Sequence, residues 1–352
     1  MDVRMLVDNS IQRPVGKEDL MYYVGIDLHK EQLVVAVEDD TGPLGRPRRI
    51  ACRDEQEIRR QMETLRPFCA VIEASSSYRW LYDLLRPLGD VILAHPLKLR
   101  AIVTARAKTD KLDAALLAKL LRAGLIPKAH IPGAGYQTLR DLTRTRARLS
   151  RAATVAKNQL HSLLGGRNLH SPQRSLMSKS ARRWLREMDL GFVGNLQRDE
   201  LLARLDHYAE ELKRLDGWLA TMAAEFPETS CLTDLHGVGI YTALLIVGEI
   251  AETERFANPR QVGAYAGLTA RVNQSGGHCY YGHISRQGSS WLRWALVQAA
   301  MKLIRKDEAL NRFYQRIRKR SSRHIARVAV ARKLAGICWI RLRRWHRANA
   351  AA

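Results

Sequence analysis

Two aspartates stand three residues apart where the composition predicts the start of a helix. Asp110 and Asp113 fall in the stretch Lys108–Ala118, which is rich in alanine and leucine, and no glycine or proline follows before Gly124. Side chains three residues apart share one face of a helix. The two carboxylates either favour the positive end of the helix dipole or, together with further acids, hold a divalent cation.

Two more acids close short apolar runs elsewhere in the chain. Asp27 ends the run 22–28 and Glu73 ends the run 69–73. Ligands of α/β sheets gather where strands end. Four carboxylates that converge repel one another unless cations lie among them, and two Mg²⁺ ions roughly 4 Å apart would polarise a phosphodiester, with Mn²⁺ as a possible substitute. An exposed acid at a strand end is also common, so each acid taken alone has a structural alternative.

The elements that must position these acids alternate along the first third of the chain. Strands are predicted over residues 22–28, 33–37, 48–52, 69–73 and 90–94, and helices over 55–65 and 80–88. Three strands followed by alternating helices and strands predict an α/β sheet with helices packed on it. An aspartate on the first strand, a glutamate on the fourth and acids on the last helix form the arrangement of RNase H-like nucleases.

The net charge of the 352 residues is +23, and two segments carry the whole excess. Residues 137–186 contain 12 Lys/Arg and one acid, and residues 301–347 contain 16 Lys/Arg and two acids. A charge concentrated in this way indicates a polyanionic partner, for which nucleic acid is the main candidate.

A basic helix is predicted over residues 139–164, with leucines and alanines along one stripe and cations over the rest of its surface. The alternative to phosphate contact is a solvated face, but one acid cannot balance so many cations. We therefore predict phosphate contacts from Arg140, Arg144, Arg148, Arg151 and Lys157.

Residues 165–195 are rich in glycine, serine and arginine and predict an irregular linker or loop. Leucine, tyrosine and methionine then recur with alternating spacings of four and three residues between Leu201 and Met222. This heptad seam predicts a coiled coil or a helical hairpin. Its partner is either another subunit or the helix at 139–164.

The C-terminal half begins with a glycine-rich turn that leads into an apolar helix. Gly237 and Gly239 resemble the turn of a helix-hairpin-helix, which presents backbone N–H groups to a phosphate, although such a turn also serves ordinary packing. Helices are predicted over 256–267, with a start at Pro259, and over 291–303, with Ser289 or Ser290 as N-cap. The basic region that follows is predicted to be helical, with His324, Arg327 and Arg343 available to nucleic acid.

A polar loop is predicted between these two helices, over residues 268–278. Ser275 precedes two glycines there and lies near Arg271 and His278 in the sequence. Composition alone favours an ordinary turn serine. Cations around this segment that we expect to contact nucleic acid are Arg271, Arg286 and Arg293, and Lys108 and Lys111 flank the acids of the N-terminal part.

Five cysteines without a CxxC motif argue against a disulfide framework and a zinc site. The polar start predicts no signal peptide, and no apolar run is long enough to span a membrane. These features predict a cytoplasmic protein.

Taken together, these motifs resemble the DEDD-type insertion-sequence transposases, which include the RNA-guided bridge recombinases. The resemblance covers roughly residues 22–305. The motifs that carry it are Gly25-Ile26-Asp27 with Lys30, Ile72-Glu73-Ala74 with Tyr78, Lys108-Thr109-Asp110 with Asp113-Ala114, Gly237-Val238-Gly239, Phe256-Ala257, Ala264-Tyr265-Ala266-Gly267-Leu268-Thr269, Ser275-Gly276, and Gly288 with Leu292-Arg293. One departure is Ser76, where many members have glycine.

The resemblance implies a RuvC-like domain at 21–135 after a flexible tail at 1–20, a basic helical and coiled-coil connector at 136–228, and a mainly α transposase domain at 229–347. It implies that Asp27, Glu73, Asp110 and Asp113 bind Mg²⁺ and that Ser275 forms a transient phosphoserine link to DNA, with both sets of residues acting in one composite site. It also implies a dimer or tetramer that acts on double-stranded DNA, takes its targets from a bridge RNA and is associated with the bacterial nucleoid.

Two alternatives stay open at this point. One is a RuvC-like nuclease that uses water, with a C-terminal half that only binds. The other is a nucleic-acid-binding protein without catalysis, in which the acids and the serine are structural.

Overall fold

The computed structural model describes residues 21–75, 77–102, 110–173, 175–275 and 278–350. A mixed α/β region comes first, and a largely helical region follows. The chain divides into two compact units between Ile131 and Pro132. The predicted tail over residues 1–20 and Lys108 lie outside the described residues.

The first unit contains every strand that the sequence predicts and one sheet built from them. A two-residue strand and the helix after the last strand are additions to the prediction. Its elements are β1 (Tyr22–Leu28), β2 (Gln32–Asp39), β3 (Gly42–Pro43), β4 (Arg48–Ala51), α1 (Glu55–Glu63), β5 (Phe68–Glu73), α2 (Tyr78–Leu85), β6 (Asp90–Ala94), α3 (Pro96–Ile102) and α4 (Asp110–Arg122).

The sheet has the order β3-β2-β1-β5-β6, and β4 also pairs with β2. β1 and β2 are antiparallel, whereas β1 and β5, and β5 and β6, are parallel. The central strand β1 therefore joins an antiparallel half to a parallel half. Val24, Ile26 and Ile72 are fully buried on one face, where α1 and α2 cover them. The opposite face carries Val34 and Val71 and packs against α4.

The second unit is built around long helices. Its elements are α5 (Ala134–Gly165), α6 (Lys179–Glu187), α7 (Gly191–Glu225), α8 (Ser230–Thr233), α9 (Ile240–Ile250), α10 (Pro259–Tyr265), β7 (Ala270–Ser275), β8 (His278–Ile284), α11 (Ser290–Leu303), α12 (Glu308–Arg320) and α13 (Arg323–Asn349). α10 begins at the predicted Pro259, with Asn258 as its N-cap, and Ser289 caps α11, as the sequence predicts.

The heptad seam lies on α7 and packs against α5 of the same chain. Leu160 of α5 and Leu202 and Leu205 of α7 belong to one buried cluster, and further along Leu139 and Leu219 belong to the next. The two helices thus form an intramolecular hairpin. Between them, the prediction of an irregular linker is wrong over α6, where Ala181 and Leu185 are spaced by one helical turn and are fully buried.

The prediction of a polar loop over residues 268–278 is also wrong. The chain forms an antiparallel hairpin there, in which Asn273 pairs with Tyr280 and Ser275 pairs with His278. Polar strands of this kind lack the apolar alternation that identifies a half-buried strand.

Helix α9 is the centre of the second core. All of its residues from Ala243 to Ile250 are buried, and they pack against α5, α11 and α13. The basic tail is helical, as predicted, but α13 also contributes a buried apolar face that includes Leu334, Trp339 and Leu342. Across the described residues, no helix combines the length and the apolar character needed to cross a membrane.

Candidate active site

Two of the predicted acids lie side by side at the sheet. Ile26 of β1 is opposite Ile72 of β5 in the parallel register, so Asp27 and Glu73 each follow a paired residue at the carboxyl end of adjacent strands. Because Ile26 and Ile72 point toward α1 and α2, side-chain alternation places both acids on the other face, the one that α4 covers. The side chain of Asp27 is 17% exposed.

Helix α4 lies very close to β1 at Gly25. A Cβ atom on Gly25 would lie 2.1 Å from the carbonyl oxygen of Ala114 and 2.4 Å from the amide nitrogen of Ala118. Only glycine permits this approach, because real side chains never come so near to backbone atoms. The contact fixes the first turns of α4 beside the strand that carries Asp27 near its end.

The far end of α4 shows in which direction the helix runs. Arg122 pairs with Glu38 at 2.7 Å, and Glu38 is opposite Tyr23 at the beginning of β1. Since its last turn lies at the beginning of β1, the first turn of α4 lies near the end of β1. Asp113 is in this first turn, next to the contact at Gly25, and Asp110 begins the helix. The structure thus brings Asp27, Glu73 and the start of α4 to one end and one face of the sheet.

One further polar residue was missed by sequence reasoning. Nε2 of His29 lies 3.0 Å from Oδ2 of Asp27, and the amide of His29 donates to the carbonyl of Gln32 in the turn between β1 and β2. The only signal in the sequence is its position two residues after Asp27.

The donor set suits Mg²⁺, because carboxylate oxygens are the ligands that this hard cation prefers. Among the side chains that the structure describes, no three His, Cys, Asp or Glu residues are close enough together to hold a metal ion. The carboxylate of Asp110 lies outside that set, as does the side chain of Lys111. Asp27, Glu73 and Asp113 are described and do not form such a group by themselves, so the set of four acids stays a prediction.

The second predicted site lies in the second unit, on the β7–β8 hairpin. Ser275 is the last residue of β7 and pairs with His278, the first residue of β8. Its side chain and residues 276–277 lie outside the described residues. The base of the hairpin is fixed: the amide of Ser285 donates to the carbonyl of Thr269, and the amide of Ser289 donates to the carbonyl of Tyr265.

Two arginines of α5 serve the interior, which corrects the prediction that they contact phosphate. The buried guanidinium of Arg140 donates to the carbonyls of Gly248 and Glu249 at 2.6 and 2.9 Å. Nε of Arg144 lies 2.7 Å from the carboxylate of Glu249, which is fully buried and also accepts from Oγ of Ser289. Burial alone would lower the pKa of Arg144, but the hydrogen bond and the charge of Glu249 raise it.

The other predicted cations of α5 are exposed. Arg148, Arg151 and Lys157 face solvent, and the guanidinium of Arg148 lies 5.8 Å from the ring centre of Trp291. Their availability to phosphate stays a prediction. Near the hairpin, Arg271 and Arg286 are exposed, and the half-buried Arg293 donates to the carbonyl of Ala266 at 3.0 Å.

The predicted helix-hairpin-helix begins with a helix of only four residues, α8. Gly237 adopts a φ of +88°, and a Cβ there would lie 2.4 Å from Cβ of Lys302, so its role includes close packing. Gly239 is the N-cap of α9 and borders open space. Of the tail residues, His324 is exposed, whereas Nε of Arg327 and Nε of Arg343 are buried.

Two family models match the chain. A DEDD transposase model of the IS110 type matches residues 24–167, which include all of the N-terminal acids. The model described as the transposase IS116/IS110/IS902 family matches residues 229–315, which include the β7–β8 hairpin. The chain belongs to the DEDD transposases of the IS110 family.

Several curated transposases are similar to the chain over most of its length. A probable family 20 transposase of Pseudomonas aeruginosa is 27% identical over 341 residues, which cover 91% of this chain and 96% of the relative. The transposase for insertion sequence element IS1111A of Coxiella burnetii is 25% identical, over 91% of this chain and 89% of the relative. The transposase for insertion sequence element IS1328 of Yersinia enterocolitica is 26% identical, over 90% of this chain and 95% of the relative. The protein is an insertion-sequence transposase.

Proposed function

We propose that the protein cleaves and exchanges DNA strands through a phosphoserine intermediate on Ser275, assisted by Mg²⁺ held by Asp27, Glu73, Asp110 and Asp113. The observation that carries the proposal is the convergence of Asp27, Glu73 and the first turn of α4 at one end of the sheet. The strand order, with an antiparallel half and a parallel half joined at β1, supports an RNase H-like domain.

The residues of the chain divide the chemistry between them. Bound Mg²⁺, or Mn²⁺ in its place, would polarise the phosphate and lower the pKa of the attacking hydroxyl. Oγ of Ser275 loses its proton and forms a bond to phosphorus, one phosphorus–oxygen bond of the DNA backbone breaks, and the leaving oxygen takes up a proton to become a free DNA hydroxyl. Attack by a different DNA hydroxyl then reverses the step and frees the serine. Because the ester bond is conserved throughout, no ATP is consumed.

The proposed partners are double-stranded DNA and a guide RNA. Exposed cations on α5 and around the hairpin supply a surface for double-stranded DNA, and the net charge of +23 favours polyanions of either kind. We propose that a bridge RNA guides the protein to its target DNA and that the active assembly is a dimer or a tetramer. Sequencing of the RNA that co-purifies with the protein tests the guide, since a single defined RNA is expected and random cellular RNA contradicts it.

The decisive experiment separates the serine mechanism from hydrolysis by water. Ser275→Ala is expected to abolish both strand exchange and the covalent adduct that the wild type forms with end-labelled DNA. Ser290→Ala, which changes an exposed serine at the start of α11, is the matched control and should keep both. Cleavage by Ser275→Ala without an adduct would establish the alternative, a RuvC-like nuclease that uses water.

A second pair of variants tests the acids. Asp27→Asn is expected to lose Mg²⁺ binding by calorimetry together with cleavage, while Asp83→Asn, an exposed acid on α2, should keep both. Full cleavage by Asp27→Asn would show that this acid is structural. A wild type that cleaves no DNA, together with unchanged nucleic-acid binding by Asp27→Asn, would support the third possibility, in which the protein only binds nucleic acid.

A further inference from the structure

Three residues with left-handed backbone surround the base of the β7–β8 hairpin. Gly267 has a φ of +65°, Arg286 has a φ of +54° and Gly288 has a φ of +97°. Glycine adopts such values without strain, whereas arginine does not. Residues held in this region at a cost in free energy cluster at functional sites. The strained residue here carries a cation.

The two glycines let the backbone and a second arginine approach each other closely. A Cβ atom on Gly267 would lie 2.5 Å from Nη1 of Arg293 and 2.9 Å from the carbonyl carbon of Arg286. A Cβ on Gly288 would lie 2.1 Å from the carbonyl oxygen of Tyr265. The turn that follows β8 is therefore packed around Arg293, and it places Arg286 beside it.

The position of Arg293 is fixed from its own helix. Ser289 caps α11, its Oγ donates to the buried carboxylate of Glu249, and Arg293 lies one turn further along α11. Its Nη1 donates to the carbonyl of Ala266 at 3.0 Å, which occupies one edge of the guanidinium. The guanidinium is thus oriented before any ligand arrives.

The charges at this place are unbalanced. Within the described residues, no carboxylate pairs with Arg271, Arg286 or Arg293. Burial lowers the pKa of Arg293, and the nearby charge of Arg286 lowers it further. Like charges held together repel each other, and an anion between them removes the repulsion. A phosphate suits two guanidinium groups because each presents a fork of N–H donors.

We propose that Arg286 and Arg293 together bind one phosphate of the DNA backbone at the base of the hairpin. Since β7 advances about 3.3 Å per residue, the base lies roughly 17 Å from Ser275. Backbone phosphates follow one another every ~3.4 Å along each strand of duplex DNA. For DNA that runs along the hairpin, the bound phosphate is about five positions from the one that Ser275 attacks. This register rests on the function proposed above, whereas the binding of the phosphate does not.

The test uses Arg286→Asn in the full-length protein. Asparagine tolerates left-handed backbone, so the variant removes the cation and keeps the turn. We expect an unchanged or higher melting temperature and a salt dependence of DNA binding that falls by about one phosphate contact. Between 50 and 200 mM salt, the variant should lose about 3.5-fold less affinity than the wild type. Arg320→Ala, an exposed arginine at the end of α12, is the control for the general loss of a positive charge.

Methylphosphonate substitution identifies the phosphate that Arg286 and Arg293 bind. Each substitution neutralises one phosphate in a duplex that carries an end of the insertion element. Substitution at one phosphate should weaken binding to the wild type and to Arg320→Ala, and should have a clearly smaller effect on Arg286→Asn, in which only Arg293 is left to contact that phosphate. Arg293→Lys should retain part of the effect. A reduced salt slope without a single responsible phosphate, or an Arg286→Asn variant that stays as sensitive as the wild type at every position, would overturn the proposal.

Two further outcomes are distinguishable. If methylphosphonate substitution weakens binding only in the co-purifying RNA and not in DNA, Arg286 and Arg293 bind RNA and the proposal is wrong. If Ser275→Ala still cleaves DNA, the serine mechanism fails, but the sensitive phosphate is still found because binding requires no reaction.

Discussion

At the scale of single residues, Gly25 controls where α4 lies. Gly25→Ala would place a methyl group within van der Waals overlap of two backbone atoms of α4. We expect it to lower the free energy of unfolding of the first unit by about 1–3 kcal/mol or more, since neither backbone can move independently. Denaturant unfolding monitored by circular dichroism measures the loss.

The control for this substitution is Gly217→Ala on α7, where a Cβ meets nothing within 4 Å. Alanine in the interior of a helix is favoured over glycine, so this variant should gain about 0.5–1 kcal/mol. Equal effects of the two substitutions would show that the close approach at Gly25 is not needed.

Asp39 makes the stability of the first unit depend on pH. It is buried at the turn after β2, where the hydroxyl and amide of Thr41 and the amide of Gly42 donate to its carboxylate. Burial opposes ionisation, but these hydrogen bonds and the charge of Arg122 hold the pKa of Asp39 below its usual value. A lowered pKa in the folded state adds stability above the unfolded pKa of about 3.9, and that stability disappears as the pH falls through the folded pKa.

Asp39→Asn should therefore be less stable than the wild type by about 1–3 kcal/mol at pH 6, and the difference should shrink as the pH falls from 4 to 2. Thermal melts across this range measure it. Thr41→Val, which removes one donor and keeps the shape, should show a smaller pH-dependent difference. Parallel curves for Asp39→Asn and the wild type would contradict this account.

Residue types and spacing predicted the strand-end positions of Asp27 and Glu73, because a strand-end acid after an apolar run is a local pattern. Their role in metal binding stays a prediction. Arg140 and Arg144 were misread because their partners lie more than 100 residues away, at the end of α9. Local sequence shows that a side chain is charged and does not show which distant backbone it meets. Ser275 was identified only through the resemblance, since no local signal distinguishes it from a turn serine.

At the scale of elements, the α5–α7 hairpin depends on its buried seam. Leu205 is 3% exposed and packs in the cluster shared with α5, whereas Leu196 on the same helix is 62% exposed. Leu205→Ala should lower the free energy of unfolding by about 2–5 kcal/mol. Leu196→Ala is the matched control and should change it by less than ~0.5 kcal/mol. Similar losses for both would mean that the seam does not stabilise the hairpin.

The same helices show what hydrophobic periodicity can predict and what it cannot. The heptad spacing predicted α7 and its apolar stripe, and it left the partner open because a stripe does not identify what covers it. The β7–β8 hairpin was missed for a related reason. Its strands are polar, so their pairing rests on backbone hydrogen bonds and on the turns at its base, which hydrophobic patterns do not report.

At the scale of the whole molecule, each of the two units contains its own buried clusters. The second core includes α13, and the indole of Trp339 donates to the carbonyl of Thr253 at 3.0 Å. The fragment 132–350 should therefore melt cooperatively on its own. The fragment 132–320, which lacks α13, should show no cooperative transition in thermal circular dichroism. A cooperative melt of the shorter fragment would contradict the role of α13.

The resemblance ended near residue 305 and the family model ends at residue 315, before α13 begins. The charge of the tail concealed its apolar face in the sequence, because arginines alternate with the buried Ala326, Val330 and Leu334. A segment that invites interpretation as a nucleic-acid contact thus also completes a core.

Helix α13 has a consequence for the order of events during synthesis. The ribosome delivers the acids of the first unit early and the strand that carries Ser275 later, but the core of the second unit stays incomplete until α13 has emerged. Premature termination anywhere before α13 would leave the second unit with an incomplete core. A shortened product would then offer the cell an unfolded chain for proteolysis in place of a partly active enzyme.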